Sequence, residues 1–100
     1  MKKVKITLVK QVEHKDLMEL YENPIAHACD MTVGDVYVSV NAEKPMGFCN
    51  AAWSSVGPFV EALANGEGNF YDGWMKNPYS ALISCNDGFR PMSCLLETIE

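Results

Sequence analysis

Four cysteines, Cys29, Cys49, Cys85 and Cys94, are the side chains of this sequence best suited to chemistry. A thiol that ionises is a nucleophile or a redox centre, and several together can hold a metal. None sits in a C-x-x-C pair, so the local signature of a zinc knuckle or a thioredoxin-like centre is missing. Three of them fall at the ends of expected elements instead: Cys29 just before a second strand, Cys49 at the start of a long helix, and Cys85 at the end of a third strand. Element ends far apart in sequence can converge in a small fold. Cys49 stands out, because a helix N-terminus favours a thiolate. Three readings stay open: core cysteines acting as small hydrophobes, reactive thiols at Cys49 and Cys85, or a metal site from Cys29, Cys49 and Cys85 with His27 as a fourth ligand.

Arg90 is the only arginine, and it follows a turn, Cys85-Asn86-Asp87-Gly88-Phe89-Arg90-Pro91. Its planar fork suits carboxylate or phosphate oxygens, so it could anchor a small anionic or polar ligand beside Cys85. The plainer reading pairs it with a neighbouring acid such as Asp87, a pair that contributes little at the surface. The aromatics Trp53, Phe70, Tyr71, Trp74 and Tyr79 are a further candidate group, either lining a pocket between the long helix and the loop after it or filling that corner of the core. The candidate ligand-binding or reactive set is therefore Cys49, Cys85, Asp87, Arg90, Trp53 and Trp74. No glycine-rich phosphate loop, H-E-x-x-H or G-x-S-x-G motif is present, and no paired acid and base argues for a reaction type. No cofactor is implied.

These residues need a scaffold, and the hydrophobic spacing supplies one. Lys3 to Val12 alternates, with Val4, Ile6 and Leu8 on one face and Lys3, Lys5 and Thr7 on the other, which predicts a half-buried strand. His14 to Glu22 carries Leu17, Leu20 and Tyr21 at helical spacing and stops at Asn23-Pro24; so short a helix must pack on the sheet. Gly34-Asp35 opens a second strand, with Val36, Val38 and Val40 expected inward and Tyr37, Ser39 and Asn41 outward.

Ala52, Trp53, Val56, Phe59, Val60 and Leu63 form a helical stripe between Asn50 and Asn65. Gly57-Pro58 predicts a kink there or a junction of two short helices, and Asn65-Gly66 a C-terminal stop. Residues 67–79 lack periodicity and read as a long loop, a length at which loops often carry function. Ser80 to Cys85 and Met92 to Ile99 read as a hairpin. A turn centred on Asp87-Gly88 would set Cys85 across from Arg90 and Cys94 across from Ala81, roughly 13 Å apart and beyond disulfide reach. The order β-α-β-α-β-β predicts one α+β domain over residues 1–100: a four-stranded, mainly antiparallel sheet with helices mostly on one face.

Composition bounds the rest. One hundred residues with 48% hydrophobic, 21% charged and 10% aromatic side chains describe an ordinary globular domain, not a fibre or a disordered chain. A net charge of −5 argues against nucleic acid or an anionic membrane as partner. The charge is uneven. Residues 1–15 carry five lysines against one acid, whereas the other basic residues face twelve acids. Lysines on a first strand usually guard a sheet edge against pairing with another chain. The start lacks an uninterrupted apolar stretch of signal-peptide length, so a cytoplasmic location is expected, with the cysteines as thiols.

Taken in order, Gly34-Asp35, Gly47-Phe48-Cys49 with Ala52-Trp53, and Cys85-x-Asp87-Gly88-x-Arg90-Pro91 resemble a family of small uncharacterised proteins, roughly 90 residues and so one domain long, largely from anaerobic bacteria and archaea. Its members end in a C-x-D-G-x-R-P hairpin. The resemblance spans nearly the whole chain and implies weight for Cys29, Cys49, Cys85, Asp87, Gly88, Arg90 and Trp53, with Cys94 filling space. Members often carry Cys-Pro where this chain has Cys29-Asp30, Cys49-Asn50 and Cys85-Asn86. The resemblance implies no activity. The expectation is a cysteine-bearing small-ligand-binding or thiol redox module, with a homodimeric interaction protein and a metal-binding domain as alternatives.

Overall fold

The computed structural model describes residues 1–24 and 30–99. The elements run β1 (Val4–Gln11), α1 (Lys15–Tyr21), β2 (Val36–Ser39), α2 (Asn50–Ala64), β3 (Ser80–Ser84) and β4 (Met92–Thr98). The four strands form one sheet in the order β2-β1-β4-β3, and every neighbouring pair is antiparallel. This is the expected α+β architecture.

Alternation in β1 turns Val4, Ile6 and Leu8 to one face, where all three are fully buried. Register carries that face across the sheet. Ile6 lies beside Tyr37 and Leu96, and Leu96 beside Ala81; Leu8 lies beside Cys94, and Cys94 beside Ile83. Helix α2 covers this face with Ala52, Val56, Val60, Leu63 and Ala64, packing on β1, β3 and β4. Spacings of three and four put these side chains on one stripe, as expected.

The helix does not break at Gly57-Pro58; it runs through as one element of 15 residues. Packing of the residues on either side of the proline holds the single helix against the missing hydrogen bond. Gly57 has its own reason: a Cβ there would come within 3.1 Å of the indole of Trp53, one turn earlier in the helix. The stop at Asn65-Gly66 is a Schellman motif. The Glu67 N–H donates to the Ala62 carbonyl at 3.0 Å and the Gly66 N–H to the Leu63 carbonyl at 3.0 Å, with Gly66 at φ +84°.

The lysine-rich β1, expected at a sheet edge, is a central strand between β2 and β4, and three further expectations are overturned. Strand β2 is inverted: Tyr37 and Ser39 share the face of Ile6 and Val4, while Val36, Val38 and Val40 are exposed. Tyr37 packs edge-on against Phe48 at 5.1 Å, and the Ser39 hydroxyl donates to the Glu43 carbonyl at 2.7 Å, so the inward places suit an aromatic and a satisfied hydroxyl. Helix α1 does not pack on the sheet, for none of its residues is buried. The hairpin register also differs. Ile83 pairs with Cys94 and Ser84 with Ser93, so residues 86–91 form a six-residue loop rather than a two-residue turn. The Asp87 carboxylate accepts the Phe89 N–H at 2.9 Å and the Arg90 N–H at 3.3 Å, closing a local turn that widens the loop. Cys85 and Cys94 become diagonal neighbours on one face, roughly 7–8 Å apart by sheet geometry, and both remain thiols.

No helix among the described residues is long and apolar enough to cross a membrane.

Candidate functional site

One irregularity in β1 builds the floor of a cavity. Strict alternation past Leu8 would put Lys10 on the core face. A β-bulge between Leu8 and Lys10 inserts one extra residue, so Lys10 pairs with Ser93 and Gln11 with Met92. Gln11 therefore joins the covered face and Lys10 leaves it. Across Met92 stands Cys85, whose backbone N–H donates to the Met92 carbonyl at 3.0 Å; the Met92 N–H in turn donates to Cys85 Sγ at 3.3 Å. The row Gln11, Met92, Cys85 ends the covered face, one step beyond Leu8, Cys94 and Ile83.

The first turn of α2 closes over this row. Cys49 is the N-cap residue in extended conformation, and its side chain makes no capping hydrogen bond. Its N–H donates to Met31 Sδ at 3.4 Å, and its carbonyl accepts the Trp53 N–H at 2.9 Å. Gln11, Met31, Cys49, Ala52, Cys85 and Met92 line a cavity of about 100 Å³, with Asp87 and Arg90 at its polar side. That volume is well below the roughly 300–1,000 Å³ of sites for drug-sized ligands, so only an ion or a molecule of a few atoms fits inside. Helix α2 points its positive end at the cavity, a place where negative charge is favoured.

The polar side is already engaged. Arg90 donates to Asp87 Oδ2 at 3.0 Å and forms a second ion pair with Glu22 just past the end of α1. Those hydrogen bonds and charges, Glu22's first, outweigh desolvation and hold the guanidinium above its ordinary pKa. Burial pushes the Asp87 carboxyl up, but the backbone N–H groups of Phe89 and Arg90 and the Arg90 charge outweigh it, and Asp87 lies below its ordinary 3.8. Two carboxylates thus face one guanidinium. The Gln11 amide donates to the Arg90 carbonyl at 3.2 Å, and Asn86 donates to the Ser54 hydroxyl at 3.0 Å, tying the hairpin loop to β1 and α2.

The cavity brings together four of the six candidate ligand or reactive residues: Cys49, Cys85, Asp87 and Arg90. Trp53 lies elsewhere, edge-on to Phe48 at 5.9 Å, and lines a separate shallow groove with Ala42, Gly57 and Pro58. Trp74 pairs edge-on with Tyr71 at 5.2 Å, both exposed, while Phe70 packs on Phe59 at 5.2 Å. The expected aromatic group is thus spread over three separate ring contacts. Cys29 and His27 lie outside the described residues, so the three-cysteine metal site has no geometry here. Among the described residues no three His, Cys, Asp or Glu side chains gather as a metal site.

Sequence reasoning missed Gln11, Met31, Met92 and Glu22. Met92 was findable, since it continues the alternation of Cys94 and Leu96; Gln11 was hidden by the bulge. No family model, curated protein or solved structure matches this chain.

Proposed function

We propose that this domain binds a very small ligand through two thiols, Cys49 and Cys85, at the cavity between the α2 N-terminus and the β3–β4 loop. The observation that carries the reading is their shared cavity, reached from two elements 36 positions apart in sequence. Both are partly accessible, unlike Cys94, which is fully buried behind them. Arg90 serves in this reading as a wall and a strap for α1, because two carboxylates already occupy it, so it does not anchor the ligand. A reducing, cytoplasmic setting belongs to the same reading, since it keeps thiols unbridged.

Alkylation of the native protein with iodoacetamide at neutral pH, mapped by mass spectrometry, tests it. Cys49 and Cys85 are expected to react at least about tenfold faster than Cys94, with one of them outpacing free cysteine. Uniformly slow thiols in the folded protein would overturn the assignment.

A second reading, a homodimer, is favoured by a different observation. Across the uncovered face of the sheet, Val36, Thr7, Leu95 and Leu82 form one row spanning all four strands, and Val36 and Leu82 are 55% and 43% exposed. The nearby Lys5 and Glu97 pair with each other at 3.8 Å, which lowers the charge beside the row. Sedimentation at high concentration checks this, and a monomer would remove it.

A further inference from the structure

The cavity holds more sulfur than its two cysteines. Met31 and Met92 line it as well, both buried, and backbone hydrogen bonds knit the four residues into two pairs: Cys49 N–H to Met31 Sδ at 3.4 Å, and Met92 N–H to Cys85 Sγ at 3.3 Å. The four come from separate places in the chain: Met31 from the segment before β2, Cys49 from the N-cap of α2, Cys85 from just past β3, and Met92 from the start of β4. They meet around about 100 Å³ of space beside the positive end of α2.

Thiolates and thioethers are soft ligands. Zinc sites draw four ligands from Cys, His, Asp and Glu, and the described residues gather no three of these. Cuprous copper is satisfied by two thiolates and accepts thioethers. Its small size suits the cavity, where an organic ligand of ordinary size does not fit.

We infer that Cys49, Cys85, Met31 and Met92 form a binding site for one soft monovalent metal ion of the cuprous class. Binding exchanges two thiol protons for one Cu(I): two sulfur–hydrogen bonds are lost, two copper–thiolate bonds form, two protons leave to solvent, and the metal keeps its oxidation state. The thioethers complete the shell and shield the ion from water. The complex carries one negative charge, which the N-terminus of α2 accommodates. This inference rests on the two-thiol site proposed above and names its ligand.

The test is an anaerobic titration of the full, reduced chain with Cu(I) against bicinchoninate as competing chelator. One equivalent is expected per chain, and a hundredfold excess of Zn(II) leaves it bound. Loading is expected to slow alkylation of both Cys49 and Cys85, a readout that needs no variant. C49S and C85S each weaken Cu(I) about 100-fold, and M31L and M92L each about 10-fold. The leucine variants preserve volume and are expected to keep the fold, which their urea midpoints check. Absence of stoichiometric uptake overturns the inference, as does copper binding that survives loss of both cysteines or is indifferent to both leucine variants. The two proposals fail differently: fast thiols without copper uptake leave the site and remove its metal, whereas inert thiols remove the site itself.

Discussion

The two faces of one sheet have opposite fates. On the covered face Val4, Ile6, Leu8, Cys94 and Leu96 are completely buried beneath α2. On the other, Val36, Val38 and Leu82 stand 55%, 42% and 43% exposed, although β2 is as rich in valine as any core strand. Among the described residues one helix is long enough to cover a sheet face, and α1 buries none of its residues, so it covers neither. Apolar alternation therefore fixes which residues share a face but does not say which face acquires a partner. The cavity sits where the covered face ends, just past the last fully packed row.

The sharpest test of that contrast is truncation on the covered side. Leu96→Ala removes a fully buried side chain that lies beside Ile6 and Ala81, under α2. It is expected to cost about 3 kcal/mol, a large share of the stability of a domain this size, read from urea denaturation. A cost under about 1 kcal/mol would mean that α2 does not pack as described.

Next in size is the tether of α1. Seven residues are too few for a stable isolated helix, and this one buries nothing, so its order depends on its ends. The Arg90–Glu22 ion pair is one such anchor, and the His14 N–H to Phe89 carbonyl bond, at 2.8 Å, is another. Arg90→Ala is expected to release the amides of Met18 and Glu22 to fast hydrogen exchange while those of β1 and β4 stay protected. Equal loss of protection in the sheet would show that Arg90 supports the whole fold instead.

A smaller effect follows from Asp87. Its folded carboxyl lies below the ordinary 3.8, so its contribution to stability is complete above that value and is lost as the pH falls through the depressed folded pKa. Wild type should therefore exceed Asp87→Asn in melting temperature at neutral pH, and the two should converge in acid. A gap that stays constant down to the acid limit would show that the charge of Asp87 contributes nothing.

How much of this was readable in the residues varies by cause. Element order, the Schellman stop and the covered faces of β1 and α2 follow from local chemistry and short-range periodicity, and those matched. What misled were decisions made by partners distant in sequence. The valines of β2 look like core because nothing in residues 36–40 records that Tyr37 will meet Phe48. The hairpin register moved by two residues because the Asp87 side chain takes up two backbone donors, which a turn template ignores. At the site, Cys49 and Cys85 were visible as element ends, but Gln11 required the bulge and Glu22 required the path of the chain after α1. Trp53 and Trp74 drew attention as aromatics able to line a pocket, and aromatic character alone carries no position.

The smallest expected effect tests the uncovered face itself. Val38→Ala and Leu82→Ala remove apolar surface that already meets solvent in the single chain, so each is expected to change stability by no more than about 0.5 kcal/mol at dilute concentration. If a second copy covers this face, the same substitutions act through mass action: they become costly only at concentrations where wild type dimerises, and its melting temperature rises with concentration while the variants' does not. Urea titrations at two protein concentrations a hundredfold apart separate the cases. A cost near that of Leu96→Ala at both concentrations would contradict the division of the sheet into one covered and one open face.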